Sequence, residues 1–125
     1  MKKYSLFFFI VLLSAKVDAQ VVDHWETVVF DSDVWRYLEG IAEPDTNWRK
    51  LSFDDSGWSQ GQGGIGYGDG DDSTVIFNTL SVYVRKVFSI IDTSSIEHSI
   101  LHVDYDDAFV TYLNNVEIAR SNIGS

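Results

Sequence analysis

Apolar and polar residues divide the chain into two parts with different patterns. Residues 6–13 form an unbroken apolar run (LFFFIVLL) that follows the basic residues Lys2 and Lys3. From residue 20 onward, short apolar segments alternate with clusters of Gly, Asp, Asn and Ser, and helical periodicity is nearly absent. This second pattern is typical of short β-strands joined by turns. The sequence therefore predicts an all-β domain behind an apolar leader.

The leader has the layout of a secretory signal peptide. A basic start, an apolar run and the small residues Val17 and Ala19 before Gln20 follow one another in the order that such a peptide requires. The run is too short to cross a bilayer as a helix, which takes about 20 apolar residues. We expect residues 1–19 to be removed, leaving a secreted or cell-surface protein without a membrane span. An uncleaved anchor or a buried strand is the alternative.

Six segments after the leader have the composition or the alternation of strands. The clearest is residues 81–90, where Val82 and Val84 alternate with Tyr83 and Arg85. A two-residue Asn114-Asn115 loop between two other segments suits a type I′ hairpin, because Asn tolerates positive φ. The predicted strands are residues 25–30, 34–38, 81–90, 100–105, 109–113 and 116–119.

Residues 43–58 have the pattern of capped turns. Pro44 and Asp45 favour a turn, and the side chains of Asn and Asp residues further along can accept hydrogen bonds from the N–H groups that follow them. We expect Trp48 and Trp58 to anchor this loop to the rest of the domain. Residues 61–70 are rich in Gly and predict a long excursion.

Charge and composition exclude several classes of function. The chain carries a net charge of −10, and losing the three Lys and one Asp of residues 1–19 makes it −12 over the remaining 106 residues. Such a chain repels nucleic-acid phosphates, so no nucleic-acid partner is expected. The chain has no Cys, which excludes disulfides, a thiol nucleophile and zinc sites with Cys ligands. Residues 20–125 are long enough for one domain at most.

Two catalytic patterns match by letter and lack the structural context that they need. Residues 57–61 (GWSQG) fit G-x-S-x-G, but a nucleophile elbow needs a strand before the Ser and a helix after it. Residues 61–66 (GQGGIG) fit G-x-G-x-x-G, which binds a dinucleotide only at a helix N-terminus. The acidic, Gly-rich residues that follow oppose both a helix and a phosphate. We therefore expect no catalytic residue in this chain.

Acidic residues suggest one metal site and one structural site. Asp69, Asp71 and Asp72 could supply oxygen ligands to a structural Ca²⁺, and no other cofactor is expected; the alternative is a solvated acidic loop. Asp106 and Asp107 precede a predicted strand, where we expect their carboxylates to accept backbone hydrogen bonds. A catalytic carboxylate pair is the alternative reading of that segment.

Four stretches together resemble a galactose-binding-domain-like jelly roll. They are residues 53–58 (FDDSGW), 63–72 (GGIGYGDGDD), 83–88 (YVRKVF) and 104–120 (DYDDAFVTYLNNVEIAR). The resemblance is to modules at the N-terminus of large secreted bacterial proteins that carry CotH kinase-like, lamin-tail or sorting domains. It implies a jelly-roll β-sandwich over residues 20–125 that is incomplete at its C-terminus. The chain departs from the family's usual pattern where Ala108 and Asn115 stand in place of Gly.

The resemblance implies a non-catalytic accessory module with downstream domains of the same chain, and with carbohydrate as a further candidate partner. Aromatic faces and polar side chains on loops would hold a sugar, and the candidates are Tyr67, Asp107, Asn114 and Arg120. Two alternatives remain open. The chain could be the N-terminal module of an enzyme (CotH-type kinase-like, glycoside hydrolase or metallophosphoesterase) with its active site beyond Ser125, or part of a structural or adhesive surface protein.

Overall fold

The computed structural model describes residues 22–68, 70–77 and 79–123, and this part of the chain is all-β. Its one helical element is a single 3-10 turn over Thr46–Arg49. The predicted signal peptide, residues 1–19, lies outside the described residues. The strands are β1 (Val34–Glu39), β2 (Ser59–Gln62), β3 (Ile65–Gly66), β4 (Thr74–Val75), β5 (Val82–Arg85), β6 (Phe109–Leu113) and β7 (Val116–Ser121).

The largest sheet has three antiparallel strands in the order β2-β1-β5. Tyr37 in the middle of β1 faces Ser59 of β2 on one side and Val84 of β5 on the other. The predicted strand over residues 34–38 is therefore confirmed, and it is the central strand of its sheet. At the end of β2, a Cβ on Gly63 would lie 1.7 Å from the carbonyl oxygen of Asp31. Glycine is required there because the two backbones come too close for any side chain.

The predicted hairpin is confirmed. β6 and β7 pair in antiparallel register, with Leu113 opposite Val116, and a register shift falls between Thr111 and Tyr112. Asn114 and Asn115 have φ values of 49° and 71°, the left-handed conformation that both central residues of a type I′ turn require. Local side-chain chemistry was enough to locate this turn.

The capped turns of residues 43–58 are also confirmed. The carboxylate of Asp45 accepts a hydrogen bond from the N–H of Asn47 at 2.8 Å and caps the 3-10 turn. Further along, the carboxylate of Asp54 accepts from the N–H of Ser56 at 3.0 Å. These short-range hydrogen bonds hold the loop in a compact shape that projects its two Trp side chains.

Trp48 and Trp58 join this loop to the strands, as the sequence predicted. The Trp48 ring lies 5.5 Å from that of Tyr83 on β5 and 6.0 Å from that of Tyr112 on β6, both edge to face. Trp58 lies 6.1 Å from Trp48 and is 9% exposed. Trp48 therefore connects the three-stranded sheet to the β6–β7 hairpin.

Three predicted strands are wrong in whole or in part. Residues 25–30 and 100–105 have no regular secondary structure, and of residues 81–90 only Val82–Arg85 form a strand. Apolar alternation shows which face a strand would bury, but a strand forms only where a second segment pairs with it. In the described chain, residues 25–30, 86–90 and 100–105 pair with no strand.

The core of the described residues is small. Trp58 and Ile76, which is 4% exposed, are the two buried hydrophobic side chains there, while many large apolar side chains are exposed. The strands also form three separate small sheets: the β2-β1-β5 sheet, the β3–β4 pair and the hairpin. The architecture of the described residues is therefore that of small, unclosed β-sheets.

Candidate functional site

The ends of β3 and β4 support a cavity of about 350 Å³, lined by Tyr67, Phe77, Thr79 and Leu80, which we call the aromatic cavity. β3 and β4 pair in parallel, with Gly66 opposite Val75, so the residues after them leave the pair at the same end. Tyr67 directly follows β3 and is 63% exposed, and Phe77 follows β4 and is 68% exposed. Parallel pairing thus brings two open aromatic side chains to one surface site.

The Gly-rich segment shapes the strand pair that carries this cavity. A Cβ on Gly66 would lie 2.6 Å from a carboxylate oxygen of Asp72, so the Asp72 side chain lies directly against the Gly66 backbone. The hydroxyl of Thr74 donates to the carbonyl oxygen of Gln62 at 2.7 Å. Residues 61–66 lie across β2 and β3, and no helix follows them in the described chain. The glycines of this segment allow close backbone packing, and the segment does not begin a helix.

A second and larger cavity of about 770 Å³ lies between the three-stranded sheet and the hairpin. We call it the inter-sheet cleft. Its walls include Val82–Val84 of β5, Phe109–Tyr112 of β6 and the irregular residues 103–108. Tyr67 lines this cleft as well as the aromatic cavity. Thr79 and Leu80 also line both, so the two cavities adjoin along Tyr67, Thr79 and Leu80.

Arg49 lines the inter-sheet cleft and was not singled out from the sequence. Its guanidinium lies 4.6 Å from the centre of the Tyr112 ring, a cation–π arrangement. Its Nε atom is buried and has no hydrogen-bond partner among the described residues. The signal that could have found it is its place beside Trp48 in the capped 3-10 turn, because that turn packs against the hairpin.

An ion-pair network beneath the Trp loop is structural. Nε of Arg85 donates to the carboxylate of Asp55 at 2.9 Å, and Nε of Arg36 lies 3.7 Å from the same carboxylate. Arg85 also donates to the carbonyl oxygens of Trp48 and, at 3.2 Å, Lys50. A side chain from β5 thereby holds the loop that carries Trp48 against the sheet.

The structure separates the four ligand-binding candidates into two pairs. Tyr67 and Asp107 line the inter-sheet cleft. Asn114 lies at the tip of the hairpin, and Arg120 lies on β7 with its guanidinium hydrogen-bonded to Glu117. That pairing raises the pKa of Arg120 and lowers the pKa of Glu117. Neither Asn114 nor Arg120 is among the described residues that line the two cavities.

The expected role of the Asp107 carboxylate is corrected by the structure. In the described chain no backbone N–H donates to it, and the side chains of Asp106 and Asp107 are exposed. The hydrogen bond at Asp107 uses its main-chain carbonyl oxygen, which accepts from Nδ2 of Asn122 at 2.9 Å. Asn122 reaches it because its own φ is 56°, which turns the chain at the end of β7. The carboxylate of Asp107 is therefore free to face the cleft.

The Ca²⁺ hypothesis stays a prediction. Asp69 lies outside the described residues, Asp71 is exposed, and Asp72 lies against Gly66. Among residues 22–68, 70–77 and 79–123, no group of three or more His, Asp or Glu side chains is placed to hold a metal ion.

Comparisons with known proteins found no matching family model, no similar curated protein and no similar solved structure. A search of the described residues for a helix long and apolar enough to cross a membrane also found none.

Proposed function

We propose that this chain is a non-catalytic β-sandwich module that binds neutral carbohydrate through the aromatic cavity. The observation that carries the proposal is the pair of open aromatic side chains, Tyr67 and Phe77, at one end of β3–β4. Aromatic rings give an apolar surface for the faces of sugar rings, and the Tyr67 hydroxyl can both donate and accept hydrogen bonds. Exposed apolar patches of this kind are typical of binding sites.

Charge favours a neutral glycan over an acidic one. The chain without residues 1–19 has a net charge of −12, and carboxylates line the adjoining cleft. An acidic polysaccharide would be repelled by this field, as nucleic acid would be. A neutral oligosaccharide escapes that repulsion and can offer hydroxyl donors to the nearby carboxylates.

The wider setting that we propose is an accessory module of a secreted or cell-surface bacterial protein with further domains. Support comes from the signal-peptide pattern of residues 1–19 and from the stretches that resemble a jelly roll. A three-stranded sheet joined through Trp48 to a β-hairpin is compatible with one end of such a sandwich. The module would attach the protein to a glycan and leave any chemistry to other domains.

Glycan binding by the secreted protein tests the proposal. We expect signal on an array of neutral oligosaccharides, followed by measurable heat on titration with the best array ligand. Tyr67→Ala and Phe77→Ala should each weaken that affinity at least about tenfold, since hot-spot aromatic side chains are worth at least about 2 kcal/mol.

The matched control is Phe30→Ala, which removes an exposed aromatic side chain from outside both cavities. It should leave glycan affinity unchanged, and circular dichroism of all three variants should match the parent. No binding to any neutral glycan, or equal losses in Phe30→Ala and Tyr67→Ala, would contradict the proposal.

A further inference from the structure

The inter-sheet cleft runs along strand edges rather than along one face of a sheet. Successive side chains of a strand point to opposite faces, so a cavity on one face touches every second residue. This cleft touches the consecutive residues Val82, Tyr83 and Val84 of β5 and the consecutive residues 109–112 of β6. It therefore lies beside the edge of each strand, where backbone N–H and C=O groups are presented.

The strands β5 and β6 each have only one paired edge in the described chain. β5 pairs with β1, and β6 pairs with β7. The other edge of each strand adjoins the cleft, and so does Val103, in the segment 100–105 that alternates like a strand without being one. Unpaired strand edges are templates for a further strand.

Apolar and acidic side chains both line the cleft. Val82, Val84, Phe109 and Val110 are among the apolar residues that line it. Its charged lining consists of four carboxylates and the single guanidinium of Arg49, which lies over the Tyr112 ring. The carboxylates belong to Glu43, Asp104, Asp106 and Asp107.

We propose that the inter-sheet cleft docks an extended polypeptide segment that adds a strand between β5 and β6. The segment is apolar at alternate positions, to match the walls, and basic at its ends, to match the four carboxylates. A polypeptide supplies N–H and C=O groups at the regular spacing of the strand edges, which a lipid or a sugar does not. A second copy of this chain is disfavoured because it would bring the same negative charge to the cleft.

The probe is a synthetic peptide of about ten residues, the upper length of a typical strand. Valine and threonine alternate in its centre, and two lysines stand at each end. We expect it to bind the full chain and to protect the amides of residues 82–85 and 109–112 from hydrogen exchange. A peptide with proline at alternate central positions lacks the needed N–H groups and should bind at least about tenfold more weakly.

Charge reversal gives the sharper test. In the double variant Asp106→Lys/Asp107→Lys, affinity for the lysine-flanked peptide should fall and affinity for a glutamate-flanked version should rise. Asp23→Lys, at an exposed carboxylate outside the cleft, is the matched control and should leave the preference for lysine unchanged. Phe77→Ala, at a side chain that lines the aromatic cavity but not the cleft, should keep peptide binding while weakening glycan binding, which separates this proposal from the glycan proposal.

Three outcomes would overturn the proposal. The first is equal binding of the proline peptide and its parent, which would mean that no strand is added. The second is a peptide preference that does not change in the double variant while circular dichroism shows it folded. The third is self-association of the full chain that blocks the peptide, because a second copy would then be the occupant.

Discussion

Arg85 joins β5 to the loop that carries Trp48 and to the carboxylate of Asp55. Its side chain is 8% exposed and contacts the carboxylate of Asp55, two carbonyl oxygens of the Trp loop and the Phe53 ring, whose centre lies 5.2 Å from the guanidinium. Arg36 contacts the same carboxylate from farther away and with a 32% exposed side chain. A planar guanidinium offers five donors in a fixed arrangement, whereas the ammonium group of Lys offers three on a flexible stem.

We predict that Arg85→Ala destabilises the protein far more than Arg36→Ala. Losing one partner of a buried ion pair costs about 3–5 kcal/mol, whereas an exposed pair contributes about 0–1 kcal/mol. Urea unfolding of the two variants measures the difference. Arg85→Lys should fall between them because it keeps the charge and loses the planar arrangement of donors. Equal midpoints for Arg85→Ala and Arg36→Ala would refute the assignment.

At the scale of elements, the β6–β7 hairpin shows how a turn depends on its two central residues. Both Asn114 and Asn115 are in the left-handed region, so strand pairing from Leu113 and Val116 outward requires that conformation. Left-handed backbone is unfavourable for most L-residues, and Asn tolerates it better than a β-branched residue does.

We therefore expect Asn115→Val to destabilise the hairpin by about 1–2 kcal/mol, the cost of placing such a residue in the left-handed region. Asn115→Gly places there the residue that adopts the left-handed region most readily and should be neutral or stabilising. Thermal unfolding measures both effects on stability, and hydrogen exchange at residues 109–113 measures them locally in the hairpin. If valine were tolerated as well as glycine, the turn would not be of type I′.

At the scale of the whole molecule, hydrogen bonds to carboxylates link stability to acid pH. The N–H of Phe30 donates to the carboxylate of Asp33 and lowers its pKa, with Lys86 adding to the effect. A carboxylate whose pKa is lower in the folded state than in the unfolded state stabilises the fold above its unfolded pKa. That stability is lost as pH falls through the lower, folded pKa. Hydrogen bonds also lower the pKa values of the carboxyl groups of Asp54, Asp92 and Glu117.

The expected outcome is an unfolding midpoint that falls as pH drops below about 4, the ordinary range of Asp. Asp33→Asn should make this fall shallower, since its amide does not titrate. Glu26→Gln, at an exposed carboxylate before β1, is the matched control and should reproduce the parent's profile. Thermal melts from pH 7 to pH 3 measure all three proteins. A fall of the same size in Asp33→Asn would contradict the linkage.

Features that depend on neighbours a few residues away were determined by the sequence alone. The Asn-Asn hairpin turn and the turns capped by Asp45 and Asp54 belong to this group. Each follows from the conformational preference or the charge of residues close together in the chain. The hydrogen bonds and backbone preferences that form these turns involve residues close together in sequence.

Pairing between distant segments was decided only by the tertiary structure. The same alternation occurs in residues 82–85 and 100–105, yet the first pairs with β1 while the second pairs with nothing in the described chain. Likewise, Arg85 pairs with Asp55 across 30 positions, and Tyr67 and Phe77 line one cavity because β3 and β4 run parallel. A strand, an ion pair and an aromatic cavity each need two partners, and the sequence around one partner does not specify where the other will lie.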